Sequence, residues 1–257
     1  MKRRETELFS AHELQIYSLI SQNDGIKSRE IARKIGMDKK EVSRWMVSSA
    51  LMRELCYQDH DFQWHAMVRQ QAPYEGLYEF SGWYGTVREF IAEDEDTWLS
   101  ELEDGCRRIG RNLNDTRGLI HSFLDCRKTI CLLFRDLQEM TAMNTDEWEI
   151  AFELRINLRR MIRIYTDVLI ITSDKVFPLE FKMKDRIVPE EILQAAKYVP
   201  YLEVLFGSGM DIYPALVLTG VSELFTYETI GQTDYLLPVC SGDMLFNVFN
   251  EAMGFLG

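Results

Sequence analysis

Long apolar runs are what this chain most lacks. No stretch approaches the roughly 18–20 consecutive apolar residues that a membrane-spanning helix needs, so no membrane partner is expected. The start, Met1-Lys2-Arg3-Arg4, meets Glu5 and Glu7 at once and leads into no apolar segment. No secretory signal is therefore expected, and the cytoplasm is the default compartment. Cysteine is scarce and scattered: Cys56, Cys106, Cys126, Cys131 and Cys240 form no CxxC pair. An odd, dispersed set argues against a disulfide framework, a zinc cage or an iron–sulfur cluster. Buried reduced thiols, packed as small hydrophobes, are the expectation. Also missing are internal repeats, a phosphate-binding P-loop and a dinucleotide fingerprint.

What remains is an ordinary globular composition, 257 residues with 46% hydrophobic and 27% charged, enough for one large domain or two modest ones. The net charge of −12 argues at first against nucleic acid. It is unevenly spread. Residues 1–70 hold 12 Lys and Arg against 10 Asp and Glu, a net of +2, which leaves −14 for the remainder. An acidic body is compatible with phosphodiester chemistry if divalent cations occupy its site and another part holds the substrate.

The first seventy residues divide into short helices. Ser10 to Gln22 carries an apolar stripe of Leu14, Tyr17, Leu19 and Ile20, with Ser10 as N-cap and Glu13 three residues on. Asn23-Asp24-Gly25 marks a turn. Ser28 caps a helix over Arg29–Ile35, closed by Gly36, and Asp38 caps a third that runs to about Leu55. Leu55–Gln58 and Phe62–His65 flank the polar turn Asp59-His60-Asp61 and pair as a hairpin. Three helices and a hairpin predict a winged helix-turn-helix. Its third helix would present Lys39, Lys40, Ser43 and Arg44 to phosphates or base edges of DNA. The near-neutral charge leaves the docking of a partner protein as its other use. Val68 to Pro73 is the expected linker.

The stretch from Arg163 to Leu202 carries the chemistry. Arg163–Thr172 and Lys175–Lys184 are both β-like, with Ser173-Asp174 as the turn between them. Side chains alternate along a strand, so Asp167 shares a face with Tyr165 and Leu169, and Glu180 shares one with Lys182. Hairpin pairing brings Asp167 beside Glu180 and Lys182. Two carboxylates and the backbone carbonyl of Phe181 suit Mg²⁺ or Mn²⁺, which prefer hard oxygen ligands. Such a metal polarises a phosphate and acidifies a bound water, and the lysine orients that water or offsets developing charge. Pro189 then opens a helix over Glu190–Val204, in which Gln194 and Tyr198 lie one turn apart.

Asp167…Glu180-Phe181-Lys182 followed by Gln194-Ala195-Ala196-Lys197-Tyr198 resembles the RecB-type branch of the PD-(D/E)XK nuclease superfamily, over roughly residues 115–220. The resemblance implies a restriction-endonuclease-like α/β core, a central mixed sheet flanked by helices, with Mg (or Mn) as cofactor. It implies that Gln194 touches the metal–water network or the substrate phosphate, and that Tyr198 braces the site or contacts DNA. It also implies that a residue from the helix Asp115–Leu137 completes the metal site. His121 is the best match and Asp125 the runner-up, with a structural histidine as the bland reading; Glu101 and Glu103 are outside candidates. Ile212–Thr219 resembles the next core strand. Trp148–Ile156 suits either a helix or the first strand of the sheet. Some relatives carry an iron–sulfur cluster through several cysteines, and with only Cys240 beyond the motifs none is expected.

The expected organisation is a winged helix over 1–70, a connecting helical or irregular segment over 71–114, and a nuclease-like domain over 115–257 ending in an amphipathic helix, Asp243–Phe255. The aromatic run Tyr74, Tyr78, Phe80, Trp83 and Tyr84 is expected to pack irregularly, with stacking on unpaired bases as the alternative. The expected function is Mg-dependent hydrolysis of phosphodiester bonds in DNA, with a homodimer for double-strand cleavage. Two other readings stay open: a catalytically inactive DNA-binding or protein-docking regulator, and an RNA-directed nuclease.

Overall fold

The computed structural model describes residues 11–66, 76–111, 116–156, 164–206, 209–230 and 235–255. The expected linker and Ser10 lie outside them. The N-terminal part contains α1 (Ala11–Gln22), β1 (Ile26–Lys27), α2 (Ser28–Ile35), α3 (Lys39–Ser48), α4 (Ala50–Leu55), β2 (Cys56–Gln58) and β3 (Gln63–Ala66). The expected hairpin forms: β2 and β3 pair antiparallel, and β1 adds on the other side of β3. The Asp59 side chain accepts from the Asp61 and Gln63 amides and shapes its turn. Gly36 closes α2 at φ 68, a left-handed conformation that favours glycine.

Two local expectations need correction. The Ser28 hydroxyl does not cap α2 but accepts a hydrogen bond from the Trp64 indole at 2.9 Å. The third helix breaks at Ser49, whose extended backbone and side chain cap a separate α4 through the Met52 amide.

The segment expected to connect the domains is part of the main sheet. It supplies α5 (Leu77–Phe80), β4 (Trp83–Thr86), α6 (Val87–Ala92) and α7 (Glu95–Arg108). Only four residues of β4 are strand-like, and their partner is a strand more than sixty residues on, so no local periodicity announces them. Gly105 of α7 sits against Gly82, where an added Cβ would lie 1.7 Å from the Gly82 carbonyl oxygen. Glycine at this contact lets the helix press onto the strand.

The remainder runs α8 (Thr116–Thr141), β5 (Glu149–Ile156), β6 (Ile164–Ile171), β7 (Lys175–Lys182), α9 (Pro189–Ala196), α10 (Val199–Phe206), β8 (Asp211–Ile212), β9 (Ala215–Leu218), β10 (Phe225–Thr229), β11 (Leu236–Ser241), a 3-10 turn (Gly242–Met244) and α11 (Leu245–Met253). Trp148–Ile156 thus resolves as a strand, preceded by Trp148. Among the described residues the main sheet is mixed, in the order β10-β11-β9-β7-β6-β5-β4, with β8 beside β7. β4 to β7 are antiparallel; β7, β9 and β11 are parallel. Three more expectations shift. The helix from Pro189 ends at Ala196, because Pro200 has no N–H to bond the Ala196 carbonyl. The strand Ile212–Thr219 is split by Pro214 for the same reason. β7 stops at Lys182, where the Lys184 amide turns back onto the Lys182 carbonyl.

The fold is mixed α/β, a large mixed sheet flanked by helices. One face is covered by α6, α7, α8 and α11, whose Phe90, Trp98, Phe134 and Phe249 meet Phe152 and Phe177. On the other face α10 and the N-terminal helices share one core with Ala151, Leu169 and Val176, and α9 covers Leu216 and Leu218. All five cysteines are unpaired; four are buried and Cys131 is half-buried. No described helix is long and apolar enough to cross a membrane.

Candidate active site

The register of the central strands builds the site. Val168 pairs with Leu179, so Asp167 and Glu180 come next in register. Phe152 pairs with Val168 and Leu154 with Thr166, so Glu153 stands opposite Asp167. Glu153, Asp167 and Glu180 therefore form one row across β5, β6 and β7. Glu180 is fully buried and Glu153 nearly so. Asp167 is half-buried as a residue, while its carboxyl group is enclosed by protein.

Each carboxylate is held differently. Asp167 Oδ2 accepts from the Phe181 backbone amide at 2.8 Å. Lys182 Nζ donates to Glu180 Oε1 at 2.5 Å, and the Tyr198 hydroxyl donates to Glu180 Oε2. Tyr198 Oη also lies 2.8 Å from the Tyr165 carbonyl, and Gln194 hydrogen-bonds the same phenol. The expected trio and the Gln194–Tyr198 pair are thus brought together. Tyr198 does so from the turn between α9 and α10, not from within a helix. Phe181 turns its side chain into the core.

Glu153 was not a sequence-level candidate, since a single glutamate inside Ile150–Leu154 gives no chemical signal until the register is known. Its φ of 52 interrupts the regular strand. Arg111, just beyond α7, places Nε 2.7 Å from Glu153 Oε2, although the N–H is not aligned as a hydrogen bond and Oε2 has no other partner. The same guanidinium lies 4.7 Å over the Tyr165 ring. Lys197, also passed over, sits with Nζ 5.1 Å over the Tyr198 ring.

The electrostatics are those of crowded, desolvated charges. Burial, then the Glu180 and Glu153 charges, push the Asp167 carboxyl far above the usual carboxylate range; Lys182 and the Phe181 amide only partly oppose this. Burial lifts Glu153 to about 7 against the pull of Arg111. Burial favours a neutral Lys182, but Glu180 and Asp167 outweigh it and raise the ammonium above its ordinary value. Lys197 is shifted down, by burial first and by Lys182 and Arg111 beside it.

The residues suit a divalent cation in one respect. Glu153 and Asp167, each pushed up by burial and by neighbouring carboxylates, stand in a row whose repulsion a cation would relieve. Among the described residues, however, no three His, Cys, Asp or Glu side chains form a ready-made metal cluster. Glu180 is turned toward Lys182 and Tyr198 instead.

His121 is not brought into the row. It is exposed on α8, and among the described residues no hydrogen bond or ion pair joins it to Asp167 or Glu180. Cys126 of α8 is buried, and burial first, then the Asp167 and Glu153 charges, push its thiol well above the ordinary range. Glu101 instead accepts from the Trp83 indole, and Glu103 pairs with Arg107. On α3, Lys39, Lys40 and Arg44 are exposed and Ser43 half-exposed, with Arg44 3.6 Å from Glu41. A cleft of about 870 Å³ runs beside α1, α10 and β11, but none of the candidate site residues lines it.

No protein-family model, curated protein or solved structure matches the chain.

Proposed function

We propose that this chain is a metal-dependent nuclease of the PD-(D/E)XK type, acting on DNA. The observation that carries the reading is the row Glu153–Asp167–Glu180 with Lys182 against Glu180 Oε1. Two buried carboxylates and a half-buried third in register are costly to fold, and a purely structural sheet has no use for them. Supporting it are the antiparallel β5–β6–β7 meander, the crossover through α9 and α10, and the return to parallel β9. That order suits a restriction-endonuclease-like core.

In this reading Asp167, Glu180 and the Phe181 carbonyl hold Mg²⁺ or Mn²⁺, with Glu153 as a further carboxylate. The bound cation supplies Lewis acidity to the scissile phosphate and acidifies a water. The protein does the rest. Tyr198, fixed by the Tyr165 carbonyl and Gln194, orients Glu180, as outer partners orient ligating carboxylates. Lys182 carries a proton next to the reacting oxygens and offsets their developing charge. The N-terminal part, read as a winged helix, offers Lys39, Lys40 and Arg44 to DNA phosphates. Double-strand cleavage would take a second copy.

One observation favours the inactive-regulator reading: Glu180 is satisfied by Lys182 and Tyr198 without metal. Incubation with labelled single- and double-stranded DNA and RNA, in Mn²⁺ or EDTA, decides between the two. The nuclease reading expects cleavage that EDTA abolishes; no cleavage of any substrate at several salt concentrations favours the regulator. Cleavage of RNA alone would move the substrate.

A further inference from the structure

The hydrogen bond from Tyr198 to the Tyr165 carbonyl joins two tyrosines that each carry a cation on the ring. Arg111 lies over Tyr165 and Lys197 over Tyr198. Among the described residues the ion pairs at this end of the sheet are Arg111–Glu153, Lys182–Glu180 and Lys184–Glu191, and Lys197 belongs to none of them. Lys197 is thus a half-buried ammonium over a ring face, without a carboxylate within ion-pair reach among the described residues. Arg111 meets Glu153 through Nε and is one-third exposed, and a guanidinium carries five donors in a fork suited to phosphate. The contact between Tyr198 Oη and the Tyr165 carbonyl sets the two rings, and the cations over them, beside the carboxylate row.

A site built only of acids and one engaged lysine would repel a polyanion. Cations whose donors are not consumed by the acids solve that problem, and aromatic faces fix their positions at low entropic cost. We propose that Arg111 and Lys197 form a clamp for the non-bridging oxygens of a substrate phosphodiester, positioning it against Asp167 and Glu180. The proposal rests on the nuclease reading for the word substrate, but the clamp itself is a statement about anion binding. Both residues are positioning residues: they act by placing the phosphate.

Fluorescence anisotropy of the full chain with fluorescein-labelled ten-nucleotide DNA and RNA tests it, with Ca²⁺ in place of Mn²⁺ so that binding is read apart from cleavage. Lys197→Met keeps the aliphatic packing and removes the charge. It is expected to weaken binding about tenfold and to lower the slope of log affinity against log salt by about 0.7, the value for one lost phosphate contact on a single strand. Arg111→Met exposes Glu153 to an unpaired state, so Arg111→Lys serves beside it: the charge near Glu153 stays, the fork is lost, and affinity falls by a smaller factor. A merely structural role would change the melting temperature without changing the salt slope. Unchanged affinity and slope in Lys197→Met, beside a wild type that cleaves, overturns the clamp and leaves the nuclease standing. A wild type that binds through Lys197 but never cleaves keeps the clamp and removes the nuclease. Absence of binding by the wild type to both oligonucleotides removes both. A larger effect on RNA than on DNA, or the reverse, identifies which backbone the clamp takes.

Discussion

The three central strands have two ends built on opposite principles. At one end Ile150, Ala151 and Phe152 pair with Ile170, Leu169 and Val168, and these in turn with Phe177, Pro178 and Leu179; all are buried. In the very next row of the same strands stand Glu153, Asp167 and Glu180. There the β6–β7 ladder stops at Val168–Leu179, and the Phe181 amide finds the Asp167 side chain instead of a backbone partner. Glu153 adopts a left-handed conformation that costs a non-glycine residue roughly 1–3 kcal/mol. The difference teaches where stability and function reside. The apolar end stabilises the fold; the charged end costs free energy that only a task can justify.

The comparison breaks most sharply on activity. Asp167→Ala and Lys182→Ala should each lower Mn²⁺-dependent cleavage by about 10³-fold; the melting temperature should hold or rise in Asp167→Ala, which thins the crowded row, and fall in Lys182→Ala, which leaves the buried Glu180 without its ion-pair partner. Full cleavage in both variants would move the site elsewhere. At the other end Leu169→Ala should cost about 2–5 kcal/mol in urea unfolding, while the activity per folded molecule stays at the wild-type level. A loss of activity larger than the loss of folded protein would mean that the two ends are not separate.

The pH dependence sharpens the contrast. The Glu153 carboxyl keeps its proton in the fold up to about pH 7, against 4.5 for an ordinary glutamate. Below 4.5 both folded and unfolded chains hold that proton. As pH rises from 4.5 toward 7 the unfolded chain releases it first, so this group makes stability fall across that window. Urea midpoints in EDTA at pH 4.5 and 7 should therefore fall more for the wild type than for Glu153→Gln. Equal slopes would place the Glu153 carboxyl outside the crowded row. A smaller effect is expected of Tyr198→Phe, which removes the hydroxyl that orients Glu180 and keeps the ring beneath Lys197. It should lower cleavage by about 10–100-fold with little change in substrate KM.

The legible parts of the site were the ones that local patterns encode. Alternation along two neighbouring strands was enough to pair Asp167 with Glu180 and Lys182, while Gln194 and Tyr198 were expected near them only through the resemblance to the RecB-type motif. In the N-terminal part the hairpin was legible from its turn residues and α3 from its Asp38 cap, whereas the Ser28 cap and the unbroken third helix were not what formed. Glu153 was not, because Trp148–Ile156 has no alternation that separates strand from helix, and its place beside Asp167 is a fact of register. Arg111 and Lys197 were not, because a cation's position over a tyrosine ring depends on how α7 and the α9–α10 turn are packed. β4 was hidden in an aromatic-rich segment whose pairing partner lies far along the chain. The break before Pro200 was readable in principle from the missing N–H and was overridden by the helical pattern on either side. His121 rested on a loose motif position, and a helix face cannot be fixed from such a match when the neighbouring Cys126 proves to be the inward side chain.

The most direct test is whether the carboxylate row binds a divalent cation. Thermal unfolding of the wild type and of Asp167→Asn should be followed as Mn²⁺ is added from none to about a hundredfold above its dissociation constant. Binding to the folded chain alone predicts a stabilisation of about 2.7 kcal/mol for the wild type and none for Asp167→Asn. Equal responses of the two proteins, or no response in either, would contradict a metal-dependent site at Asp167.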